Sequence, residues 1–91
     1  MKKSLILFIL VVVAACAGAP TPLPDEGSEA AGLYAAKCGL CHSLAHPARH
    51  TAHQWERMVE VMEGVMADKG MAALTEEERV VILGYLKEHA R

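Results

Sequence analysis

The residues with the clearest chemistry are Cys38, Cys41 and His42, in the run Cys38-Gly39-Leu40-Cys41-His42. The spacing C-x-x-C-H is that of a c-type haem attachment, in which two thiols add to the porphyrin vinyl groups and the adjacent imidazole reaches iron. A C-x-x-C pair has two other uses. One is a redox disulfide of the thioredoxin kind, which belongs in a βαβ setting that this chain does not suggest. The other is half of a tetrahedral zinc site, for which His46, His50 and His53 are the available further ligands. The remaining cysteine, Cys16, lies in a different context and is explained separately.

That context is an export signal. Lys2 and Lys3 precede an apolar run over 5–13, and small residues follow. About twelve apolar residues are short for a permanent span of a bilayer. Val13-Ala14-Ala15-Cys16 resembles a bacterial lipobox, so residues 1–15 are expected to be removed and Cys16 to carry lipid. Several acyl chains on one cysteine anchor a protein stably, where a single chain would not. The rival is ordinary cleavage after Ala17, which would release a soluble periplasmic protein. Ala17 after the cysteine, in place of Asp, resembles outer-membrane sorting. Residues 16–28 hold Pro20, Pro22 and Pro24 with Gly and Ser, and read as a flexible tether. The domain is then 29–91.

Composition bounds what such a domain can do. The chain has 91 residues, 53% hydrophobic, 22% charged and 4% aromatic. About 60 residues make a marginal core without a disulfide, metal or cofactor. A multidomain enzyme is excluded by length. Loss of residues 1–15 takes away two lysines and leaves seven cations against eleven acids, a formal charge of −4. With no basic stripe, nucleic acid is not an expected partner.

Three helices should position the motif. The first is expected over about 29–37 and runs into Cys38. A loop over 43–52 follows, with Pro47. Thr51-x-x-Gln54 reads as a capping box, after which Trp55, Met58, Val59, Met62, Val65 and Met66 recur at helical period. Glu56, Glu60 and Glu63 face away and form a candidate acidic docking face. Gly70 should lie in the break. Thr75 with Glu76, Glu77 and Glu78 starts a third helix whose apolar set is read as Val80, Val81, Leu83, Leu86 and Tyr85. The fold class is all-α.

The stretch from Leu33 to His42, with Tyr34 four positions before Cys38, resembles the haem-binding segment of small class I cytochromes c. The block Trp55 to Met62 is similar to the W-x-x-x-V-x-x-M pattern of short domains in that family, as is Gly84-Tyr85-Leu86 in the last helix. Ala30 stands where many members carry a glycine for close helix packing, and Gly32 is the substitute expected. The resemblance implies a compact three-helix domain around one covalent haem c. It implies His42 as proximal ligand, oriented by a carbonyl near Pro47, and Met62 as distal ligand. Met71 and Met66 compete with Met62, and Met58 is read as core packing. His46 and His89 are read as solvated. Trp55 and Arg49 are candidates to hold the haem propionates, against simpler roles as core anchor and surface residue. Such a protein carries single electrons between periplasmic redox partners, among them a dehydrogenase or respiratory complex, and is not an enzyme. The alternative is a haem sensor or gas-binding protein with an open distal site.

Overall fold

The computed structural model describes residues 21–40 and 43–91. Among the described residues three α-helices form and there is no strand. Helix α1 spans Glu29–Cys38, α2 Ala52–Asp68 and α3 Glu76–Glu88. A short 3-10 turn, Pro47–Arg49, interrupts the loop between α1 and α2.

Each helix begins where its side chains can satisfy the free N–H groups of a first turn. The Ser28 hydroxyl accepts from Ala31 N. Thr51 and Gln54 close a reciprocal capping box on α2, and Thr75 and Glu78 close another on α3. The end of α2 is equally specified. Gly70 adopts φ 69°, Gly70 N donates to Ala67 O and Met71 N donates to Met66 O. This pairing of bonds is a Schellman motif, and its left-handed residue favours glycine.

The last helix is the keystone. It packs against both α1 and α2, and its buried face is Ile82, Tyr85 and Leu86. Tyr34 and Ala31 meet it from α1, and Trp55 and Val59 complete the same cluster from α2. Three ion pairs reinforce this order: Lys37 to Glu78 at 3.1 Å, Glu63 to Arg79 at 2.7 Å and Glu56 to Lys87 at 2.6 Å. The two pairs between α2 and α3 also show that these helices run antiparallel. Two expectations are corrected here. Val80 and Val81 are exposed at 62% and 41%, while Ile82, absent from the expected apolar set, is fully buried. The inward face follows the spacing 82, 85, 86, two residues out of phase with a stripe begun at Val80. The expected acidic face is largely neutralised, because Glu56 and Glu63 each hold a cation from α3.

The close helix contact expected at Gly32 is not there either. A side chain at Gly32 would meet nothing within 4 Å, whereas Ala31 is buried at 1%. The stretch before α1 is also better tied than a free tether. Leu23 packs on the core, the Tyr85 hydroxyl donates to Pro24 O at 2.7 Å, and Ser28 N donates to Asp25 O at 2.8 Å.

Candidate functional site

Cys38 is the last residue of α1 and is half-buried. Cys41 and His42, the other members of the motif, lie outside the described residues, as does Cys16. What the structure does describe is the scaffold on either side of them. On one side is the end of α1. On the other is the loop from Ser43, and both aromatic side chains that meet across the core hold it. The Tyr34 hydroxyl donates to Ala45 O at 2.7 Å, and the Trp55 indole N–H donates to Pro47 O at 2.7 Å. The Tyr34 and Trp55 rings stand edge to face, 6.3 Å apart. Arg91 N donates to His50 O and ties the loop to the chain's end. Two buried aromatics thus fix two loop carbonyls a few residues after the motif, which makes that loop a firm base.

These bonds change the expected roles of two residues. Trp55 is 1% exposed and its single N–H is committed to Pro47, so that hydrogen is not offered to a propionate. A carbonyl near Pro47 was expected to orient His42, which lies outside the described residues; the Pro47 carbonyl accepts from the indole with one of its two lone pairs. Arg49 is exposed on the 3-10 turn. His46 is not simply solvated, since its Nδ1 accepts from Ala48 N at 3.0 Å and caps that turn. His89 lies 3.1 Å from the Asp25 carboxylate and packs on Tyr85 at 5.0 Å between ring centroids.

Between the C-terminal end of α1 and the face of α2 lies a largely apolar cleft of about 240 Å³. Cys38 and Leu40 stand at one wall. Met58, Met62 and Met66 line the other at intervals of four residues, one row along α2, and Met71 joins them because the Schellman turn folds it back beside Met66. Lys37 and Lys69 stand at the rim. A smaller cavity of about 80 Å³ also borders Cys38, Met58 and Met62, and adds Tyr34, Leu44, His50 and Trp55. Met62 and Met58 line both spaces with Cys38; Met71 borders only the larger, and Met66 is 9% exposed. The structure therefore brings Met62 and Cys38 together, and gives Met58 the same placement. His50 is the other residue not expected here. Its ring stands edge-on to Trp55 at 4.8 Å, a placement invisible in the spacing of histidines.

Three cleft residues are conspicuous for their exposure: Leu40 at 68%, Val61 at 58% and Val65 at 43%. Clustered aliphatic side chains left in water mark a surface that something apolar covers. The cysteine is informative too. Burial pushes the Cys38 thiol up to about 11, the reverse of the lowered value that a thioredoxin-type nucleophile needs. Among the described residues, no three His, Cys, Asp or Glu side chains converge as metal ligands, and His53 points to Glu56 at the surface. No described helix is long and apolar enough to cross a membrane.

No protein-family model, no curated protein and no solved structure matches the chain. The functional reading stands on its residues and geometry.

Proposed function

We propose that this chain is a lipid-anchored, monohaem c-type cytochrome that carries single electrons between redox proteins outside the cytoplasmic compartment. The observation that supports it most is the cleft itself. A half-buried cysteine of a C-x-x-C-H motif stands across from a row of methionines, inside a largely apolar lining.

That donor set fits a haem c. Cys38 and Cys41 would hold the ring as thioethers, and His42 and Met62 would hold the iron. When bound, a haem c supplies a one-electron ferric/ferrous couple. The protein's own part is to shape that couple. Methionine sulfur is a soft donor that favours the ferrous state and raises the reduction potential relative to a second histidine. Leu40, Val61, Val65 and Met66 offer an apolar lining that excludes water and disfavours the extra charge of the ferric state. Tyr34 and Trp55 hold the loop that follows the motif in place. Were His42 and Met62 both to hold the iron, no position would remain on it for a substrate, which is why transfer and not catalysis is the reading.

Absorbance of the exported protein tests it. A low-spin spectrum with a near-infrared sulfur-to-iron band, unchanged by carbon monoxide, is expected. A high-spin spectrum that shifts on adding carbon monoxide would favour a gas-binding sensor with an open distal position. A protein with no Soret band would point to zinc.

A further inference from the structure

The smaller cavity beside Cys38 holds a donor set that the haem reading does not use up. Its volume is about 80 Å³, well below the roughly 300–1,000 Å³ of a pocket for a drug-sized molecule. Four of its lining residues can ligate a metal: Cys38, His50, Met58 and Met62. Met58 and Met62 stand one turn apart on the same face of α2. Methionine is unbranched and flexible, so each can turn its sulfur into a space it already borders. Cys38 arrives from the last position of α1. His50 arrives from the loop, where its carbonyl accepts from Arg91 N at 3.2 Å and its ring rests edge-on against Trp55 at 4.8 Å. Among the described residues neither nitrogen of that imidazole has a hydrogen-bond partner.

We propose that the chain, before haem is attached, binds one cuprous ion in this cavity through Cys38, His50, Met58 and Met62. The donors select the metal. Thioethers are soft ligands that favour Cu(I), whereas zinc takes thiolate, imidazole and carboxylate. Among the described residues no carboxylate lines the cavity. Charge points the same way. On binding, the Cys38 thiol releases its proton to solvent and its sulfur bonds the metal. One thiolate with one Cu(I) is neutral, so no net charge is left in a space walled by Tyr34 and Trp55. A divalent ion on the same four donors would leave one positive charge uncompensated there, which is costly in an apolar setting. Cys38 can serve copper or haem but not both, because a thioether bond to haem leaves no thiolate. That exclusion rests on the proposed haem bond; the copper site itself does not.

The test uses the full exported chain, made with selenomethionine in cells that lack haem attachment, then reduced and given one equivalent of Cu(I). Cys41 lies three residues after Cys38 and could hold copper with it, so selenium distinguishes the cavity from the cysteine pair. X-ray absorption at the copper edge should show selenium neighbours and one imidazole. Met58→Leu and Met62→Leu should each halve the selenium signal, and together abolish it and weaken Cu(I) binding by about ten-fold or more against a competing chelator. His50→Gln should remove the imidazole. No copper uptake, copper without selenium neighbours, or a selenium signal that survives the double variant would overturn the site, as would an imidazole that survives His50→Gln. The single variants read the site even where the double variant loses its fold. Haem-loaded chain should show no selenium beside added copper, and its presence would overturn the exclusion. The haem reading is judged apart, by covalent haem on normally matured protein: its failure leaves the selenium result standing, and failure of the copper site leaves the haem untouched.

Discussion

Tyr34 and Trp55 show how single side chains do two jobs here. Both rings are nearly inaccessible, and both polar atoms end on loop carbonyls at 2.7 Å, as a buried donor must. Tyr34 carries a pH consequence. Burial, helped by Cys38 and Tyr85 nearby, pushes its phenol up from 10.0 to about 12, against the Ala45 hydrogen bond that lowers it. A raised acid favours folding while neutral, so its contribution is complete below about pH 10 and drains away as pH rises toward 12. Tyr34→Phe should therefore lose about 1 kcal/mol at neutral pH with its hydrogen bond, and flatten the decline between pH 10 and 12, read as denaturant midpoints across that range. The methionines separate at the same scale. Met62→Ala should abolish the near-infrared sulfur-to-iron band and lower the reduction potential, whereas Met58→Ala should keep both and lose stability by about 2–5 kcal/mol. Survival of the band in Met62→Ala would transfer the ligand role to Met58 or Met71.

The helices were the most legible part of the sequence, because their limits are set by neighbours in the chain. Ser28, Thr51 and Thr75 begin them and Gly70 ends one, all within reach of local hydrogen bonds. What the sequence concealed depends on partners far along the chain. The inward phase of α3 needs α1 and α2 to define it, so Val80 and Val81 looked as apolar as Ile82. Glu56 and Glu63 read as an open acidic face until Lys87 and Arg79 arrived beside them. Of the candidate site, Cys38 came from spacing and Met62 from the family resemblance, while the placement of Met58 and His50 beside Cys38 depends on how the helices pack. Glycines test the element scale cleanly. Gly70→Ala should cost about 1 kcal/mol, since φ 69° strains any side chain, and Gly32→Ala should gain about 0.5–1 kcal/mol, since nothing lies within 4 Å of the added methyl. Thermal midpoints moving in opposite directions are the expected outcome. A gain at Gly70 would contradict the Schellman turn.

At the scale of the whole molecule, the described residues form three helices around a small set of buried side chains, with three of the five exposed large aliphatic residues on one cleft. Domains of this size commonly need a covalent or bound group to complete their interior. The proposed haem would do so where Cys38, Leu40 and the methionine row converge. Stability and colour should then be one property. The most direct measurement is the intact mass of the exported protein after denaturation, with a haem stain of the same band on a denaturing gel. One haem mass retained through denaturation, with neither Cys38 nor Cys41 open to alkylation, is the expected result. A folded protein of unmodified domain mass, colourless, with those two sulfurs free or joined to each other, would contradict the reading.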